Sequence, residues 1–281
     1  MRVSIFDQFG ALNSGPIFEA IQQGFVKVGA EVVRHDTSAD VAVIWSNVWA
    51  GRMRPNQLIW QQFRDSNRPV VVAEVGMLKR GITWKIGLNG TTRNAAWAPA
   101  QDPDRYKKFN MSLQPWRRSG SNIVIALQRH DSHQWPSNVS IDQWLAKTVS
   151  ELKLYTDRPI VIRPHPRQTG VGGKNYPAHR PVKIAGTYDD FDFVEAIQNA
   201  WAVVNWNSGP GSIAAINGVP VFVDQSSLAA PVGNLSLVNI ESPQRPDREQ
   251  WFNELCHTEW FVDEIKEGEP FSYLLDKIKL G

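Results

Sequence analysis

The sequence predicts an α/β protein of two units, each built on a mainly parallel, doubly wound sheet. Three observations lead there. Strand and helix patterns alternate as β-α-β-β-α-β through residues 2–75, the order that parallel sheets with covering helices produce. The alternation breaks off over residues 112–121, where Pro115 and Gly120 interrupt any regular pattern, and then restarts. Residues 202–224 (AVVNWNSGPGSIAAINGVPVFVD) read as a buried strand, a turn, a short helix and a second buried strand.

Taken in order, residues 2–6 form a first strand and residues 10–16 a loop. Ile17, Ile21, Phe25 and Val28 recur at helical spacing. Strands follow at 31–34 and 41–45, a helix at about 55–65, and a strongly apolar strand at 70–75. Residues 76–110 read as loop-rich and hold much of the basic and aromatic content. Beyond the break come a strand at 122–127, a helix at about 140–155, a strand at 159–163 and a helix at about 191–200. Residues 247–280 read as two or three helices. The expected division is 1–116 and 117–281, with the C-terminal helices in the second unit and no internal repeat.

Composition bounds the function. A chain of 281 residues suffices for two domains. Cys256 is the sole cysteine, which excludes an internal disulfide and a thiolate metal cluster. No run approaches the roughly 18 apolar residues of a membrane span, and the N-terminus enters a strand pattern with no signal-peptide layout. A soluble, cytoplasmic protein is expected. Charge is uneven: residues 1–120 hold 16 Lys/Arg against 9 Asp/Glu, residues 121–281 hold 14 against 19. Such a split fits a first half facing a polyanion or acidic substrate, and equally a solvated basic surface.

In open α/β sheets ligands sit beyond the C-terminal strand ends, and four ends carry suggestive residues. Glu74 closes the strand at 70–75; partial burial would suit it as a general base, and pairing with Lys79 or Arg80 is the equal alternative. Gln128–Trp135 (QRHDSHQW) offers Arg129 for bidentate phosphate binding, with His130 and Ser132 as further donors. His130 and His133 lack a third ligand at a diagnostic spacing, so no metal is expected. In the loop Arg163-Pro-His165-Pro-Arg167 the prolines stiffen the backbone around His165, which suits an anionic ligand. Asn207, Ser208, Gly209, Gly211 and Ser212 form a turn whose glycines and following helix N-terminus fit a phosphate, with Ser208 placed to cap.

The His-Pro loop and the Asn-Ser-Gly-x-Gly turn running into Gly-Val-Pro-Val resemble those of GT-B glycosyltransferases. The resemblance implies two Rossmann-like domains facing a central cleft, the C-terminal one binding a nucleotide sugar and the N-terminal one the acceptor. The two motifs are similar to those of capsule-polysaccharide glycosyltransferases. The strand at 70–75 with its terminal carboxylate and the basic loop after it resemble bacteriophage DNA glucosyltransferases. There Glu74 would deprotonate the hydroxymethyl group of a modified pyrimidine. The helix Ser212-Ile213-Ala214-Ala215-Ile216 departs from those enzymes, which carry a ribose-binding Glu there.

The implied chemistry is displacement at the anomeric carbon, with Glu74 taking the acceptor's proton. Arg129, Arg163, His165 and the N–H groups of residues 209–212 would stabilise a departing diphosphate, of a UDP-sugar by first choice, without a metal. Arg52, Arg54, Lys79, Arg80, Lys85 and Arg93 would neutralise acceptor phosphates, and Trp49, Trp84 or Trp97 would stack on an extruded base. DNA is the first acceptor expected, and the cytoplasm is that of an infected bacterial host if the protein is phage-encoded. Two alternatives stand beside it: a transferase or nucleotide-sugar epimerase acting on surface carbohydrate, and a catalytically silent DNA-binding protein of the same fold.

Overall fold

A run such as Val41-Ala42-Val43-Ile44-Trp45 has no polar face, so it is stable as a strand only where both faces are covered. The computed structural model describes residues 1–129, 131–132, 134–136, 138–168 and 176–280. In chain order its strands are β1 (Arg2–Ile5), β2 (Glu31–Arg34), β3 (Val41–Trp45), β4 (Val70–Val75), β5 (Thr83–Leu88), β6 (Asn122–Ala126), β7 (Ile160–Arg163), β8 (Ala200–Asn205), β9 (Val221–Phe222) and β10 (Glu259–Phe261). The helices are α1 (Gly15–Lys27), α2 (Asn56–Asp65), α3 (Ile141–Leu152), α4 (Phe193–Ala196), α5 (Gly209–Ile216), α6 (Glu249–Cys256), α7 (Val262–Lys266) and α8 (Glu269–Leu280). None of them is long and apolar enough to cross a membrane.

The chain forms two compact units: Met1–Phe109 with Asp131–His133 and Asn253–Gly281, and Asn110–His130 with Gln134–Phe252. In the first, the sheet order is β10-β5-β4-β3-β1-β2. Strands β1 to β4 are parallel, and β5 runs antiparallel to both β4 and β10. One face packs Trp45, Trp84 and Trp260 with Phe18, Phe25 and Phe271 from the helices. The other packs Val70 and Val72 on Ile59 and Phe63 of α2. In the second unit the order is β7-β6-β8-β9, all parallel. Ile123, Ile125 and Val204 there meet Leu145, Val149 and Leu152 of α3.

Three features depart from the sequence expectation. The stretch 76–110 contains β5, an interior strand buried along its whole length. Trp84, Ile86 and Leu88 face one side, while Lys85 and Gly87 on the other disguise the alternation. Of the helix expected at 191–200 only the single turn α4 forms, because Ala200 already pairs with Asn122 in the sheet. The C-terminal segment belongs to the first unit, where β10 extends the sheet by pairing with β5.

Arg105, 2% exposed, fastens that segment. Its guanidinium makes two 2.8 Å bonds to the Glu264 carboxylate, donates to the carbonyls of Cys256 and Glu259, and lies 4.0 Å from the Trp260 ring centroid. Docking of an acidic tail also removes the charge asymmetry. The first unit holds 17 Lys/Arg and 17 Asp/Glu, the second 13 and 11. The basic excess of the N-terminal half is cancelled within its own unit.

Candidate functional site

Parallel strands deliver their following residues to one edge, and in the first unit that edge collects the residues after β1, β3 and β4. Glu74 lies there, partly exposed, with its carboxylate engaged on both oxygens. Ser46 Oγ donates to Oε2, and the Val75 N–H donates to Oε1 at 2.9 Å. Ser46 follows β3, is 1% exposed and has φ 60°. A non-glycine residue held in that region costs about 1–3 kcal/mol and persists only where its surroundings impose it. Its hydroxyl also accepts from Val48 N at 3.1 Å.

Glu74 stands directly across from Lys85 in the β4–β5 ladder, and Lys85 stands across from Glu259 in the β5–β10 ladder. Direct cross-strand partners share a sheet face, so the ammonium lies between two carboxylates. Burial pushes the Lys85 ammonium below the ordinary lysine range, against the pull of Glu259 and Glu74. Glu259, fully buried, accepts from Met77 N and Thr83 Oγ1, both at 2.7 Å. A Cβ on Gly76 would overlap Glu259 Oε2 and the Thr83 carbonyl, so only glycine allows this closure after Glu74.

The expected acceptor residues separate into two groups. Arg52, Arg54 and Arg93 are exposed, and Lys79 and Arg80 partly so. Arg52 and Arg54 lie on the loop that starts at Ser46, and neither guanidinium has a hydrogen bond or ion pair among the described residues. Lys85 and Trp84, by contrast, are interior. Trp84 is 5% exposed, with its ring 5.7 Å from that of Trp45. Removing a large apolar side chain from the core costs about 3 kcal/mol, at least the roughly 1–3 kcal/mol that stacking on a base returns. Trp84 is a core residue, not a stacking platform.

In the second unit the C-terminal ends of β7, β6 and β8 adjoin, with β6 in the middle. Gln128 after β6 and Asn207 after β8 are buried and brace each other: Gln128 Nε2 donates to Asn207 Oδ1 at 3.0 Å, and Asn207 N to Gln128 Oε1 at 3.1 Å. Asn207 Nδ2 also donates to Ser226 Oγ at 2.9 Å, so this side chain holds the turn in shape. Ser208 occupies the N-cap of α5 but makes no side-chain cap; its hydroxyl accepts from Asn205 Nδ2 at 3.0 Å. A Cβ on Gly211 would lie 3.1 Å from Val223 Cγ1 and 3.4 Å from Asn205 Oδ1, so glycine permits α5 to sit close on the strands. Ser212 is buried, while Ser208, Gly209 and Pro210 are partly exposed. Pro210 carries no N–H, which thins the donor set expected of this helix start.

Arg163 is 4% exposed and faces inward. Its Nη2 bonds Asp192 Oδ1 at 2.7 Å, and Asp192 also takes Val182 N and His179 Nε2, both at 2.8 Å. Burial alone would raise the Asp192 carboxyl. His179, Val182 N–H and Arg163 outweigh it and hold the carboxyl down at about 2. This network ties residues 177–192 to β7, so Arg163 serves the fold. Its Nη1 has no hydrogen-bond partner among the described residues.

Arg129 and His165 are partly exposed at the ends of β6 and β7. His165 Nδ1 accepts from Arg167 N at 3.1 Å, which puts the ring proton on Nε2 and makes that atom a donor. Arg167 is exposed and paired with Asp189 at 2.7 Å, a surface bridge of about 0–1 kcal/mol. His130 and His133 lie outside the described residues. Asp131 and Ser132 belong to the first unit, where Ser132 bridges to Val48. Among the described residues no group of three or more His, Cys, Asp or Glu could hold a metal ion.

Sequence reasoning missed Ser46, Gln128 and Glu259 as site-shaping residues. It also passed over a small duplication: Asn13-Ser14-Gly15-Pro16 matches Asn207-Ser208-Gly209-Pro210. Both serines take the N-cap position, at the starts of α1 and α5.

No protein-family model and no curated protein matches the chain. Solved structures do. Thermosulfurimonas dismutans KpsC, beta Kdo 2,4 transferase, superposes with a TM-score of 0.51 at 12% identity, over 95% of this chain and 98% of that one. Thermosulfurimonas dismutans KpsC, beta Kdo 2,7 transferase, gives 0.51 at 13% identity over 97% and 100%. The Methanocaldococcus jannaschii UDP-GlcNAc 2-epimerase, at a TM-score of 0.36 and 11% identity over 100% of both chains, is too distant to bear on function. The chain has the GT-B type of fold, with two Rossmann-like α/β units.

Proposed function

We propose that the protein transfers a glycosyl group from a nucleotide sugar, a UDP-sugar by first choice, to a hydroxyl of an acceptor that carries acidic groups. One observation carries this reading: in a GT-B fold, the partly exposed Glu74 carboxylate is held by Ser46 on the same strand-end edge as the unengaged Arg52 and Arg54. A neutral hydroxyl is a poor nucleophile, so Glu74 takes its proton as the oxygen attacks the anomeric carbon. The bond from that carbon to the diphosphate breaks, and negative charge collects on the departing oxygens. Arg129, His165 through Nε2–H and the backbone at Ser208–Gly209 offer the donors that stabilise it, without a metal in this reading.

Carbohydrate is the favoured acceptor. Trp84 and Lys85 lie in the core and the first unit has no cationic excess, which suits a long polyanion poorly; the two neighbours, named as Kdo transferases, make sugar transfer the chemistry to test first. The hydroxymethyl group of a modified pyrimidine in phage DNA is the second reading, supported by the same free arginines. Purified protein is incubated with a panel of nucleotide sugars and either acidic oligosaccharide or hydroxymethylated DNA, and products are weighed by mass spectrometry. Binding to DNA would weaken steeply with salt because many phosphates are neutralised at once, whereas an acidic oligosaccharide held by Arg52 and Arg54 would show a shallower salt dependence. Glu74→Gln should abolish transfer while the donor still raises the melting temperature. Transfer that survives in Glu74→Gln removes that residue from the mechanism, and no product with any donor removes the transferase reading.

A further inference from the structure

Five non-glycine residues have positive φ among those described: His35, Ser46, Asn67, Asn89 and Asn110. Asparagine and histidine enter the left-handed region more readily than other types, which leaves Ser46 as the exception. A glycine would adopt this backbone without strain. The serine hydroxyl has a single proton, and it is directed to Glu74 Oε2, while the oxygen accepts from Val48 N at 3.1 Å. Ser46 N donates to the Ala73 carbonyl at 2.7 Å, which registers the residue against β4 one position before Glu74. Lys85 stands on the opposite side of the carboxylate in the ladder.

We propose that Ser46 is a positioning residue that aims the Glu74 carboxylate for proton transfer, held in a left-handed backbone because the hydroxyl reaches Oε2 from there. This rests on the assignment of Glu74 as the base, and the test separates the two. Ser46→Ala keeps the strained backbone and loses the hydroxyl; Ser46→Gly loses the hydroxyl and relieves the strain. If Ser46 only supported the fold, activity would follow stability, and Ser46→Gly would be at least as active as the wild type. A positioning role predicts that both variants lose kcat, on the order of 10- to 100-fold with KM little changed, while Ser46→Gly melts higher than Ser46→Ala.

A second readout needs no substrate. In protein labelled with ¹³C at the glutamate carboxyl groups, the Glu74 resonance is identified by its absence in Glu74→Gln. It should be a single narrow line in the wild type, shifted or broadened in both Ser46 variants. An unchanged Glu74 line, or a fully active Ser46→Gly, overturns the proposal. If the wild type transfers no sugar, the functional reading fails while the Glu74 resonance still decides the role of Ser46.

Discussion

Replacing Arg105 by methionine keeps much of the side chain's volume and removes its charge and its fork. The Glu264 carboxylate, 10% exposed at its side chain, then keeps Lys108 Nζ at 2.9 Å and Phe261 N at 3.0 Å but loses both guanidinium bonds. Breaking a buried ion pair from one side costs about 3–5 kcal/mol, and the surviving Lys108 contact places this case toward the lower end. The Cys256 and Glu259 carbonyls also lose charge-assisted donors at 2.8 and 2.6 Å, each worth about 1.5 kcal/mol and not fully additive. A loss of about 4 kcal/mol is expected, near 12 °C in melting temperature for a unit of this size. Urea denaturation followed by circular dichroism measures it. Arg105→Met combined with Glu264→Met should recover part of the loss, since the buried carboxylate is then gone. A single variant that loses less than about 1 kcal/mol would refute the reasoning, because the guanidinium would then not be what fastens β10 and its Glu259 beside β5.

Two further outcomes follow from the titrating groups. Asp192, held at about 2 by His179, Val182 N–H and Arg163 against the effect of burial, stabilises the fold fully above its unfolded value near 4. That stability, about 2 kcal/mol, is lost as pH falls toward 2. Urea midpoints at pH 6 and pH 3 should therefore fall further apart in the wild type than in Asp192→Asn, and equal falls would contradict the network. The Cys256 thiol is pushed up to about 12 by burial, with Glu259 adding and Arg105 opposing. A thiol reagent at pH 8 should label the native protein far more slowly than the urea-unfolded chain; rapid native labelling would show that α6 does not shield it.

Local pattern made much of this protein legible in advance. Val70–Val75 and Val41–Trp45 are recognisable because unbroken apolar runs are satisfied only by burial on both faces, and α1 because Ile17, Ile21 and Phe25 repeat on one side. Strand-end logic then led to Glu74, Arg129 and His165, which do stand at the C-terminal edges of their sheets. It failed for Arg163 and Asn207. A strand-end side chain can turn inward as readily as outward, and the buried partners Asp192 and Gln128 are distant in sequence. Trp84 and Lys85 were misjudged for a related reason: a basic, aromatic segment looks solvent-exposed until a second strand closes over it.

The sequence by itself determined the alternation of strands and helices, the break between two α/β units and the strand ends at which chemistry belongs, because each of these depends on hydrophobic period and turn chemistry within a few residues. Tertiary structure alone decided that the acidic C-terminal segment returns to the first unit, adds β10 to its sheet and cancels its basic charge. It alone placed Ser46 on Glu74 and Lys85 between two carboxylates. Those outcomes depend on register between segments as far apart as 85 and 259, and no local propensity encodes a partner at that distance.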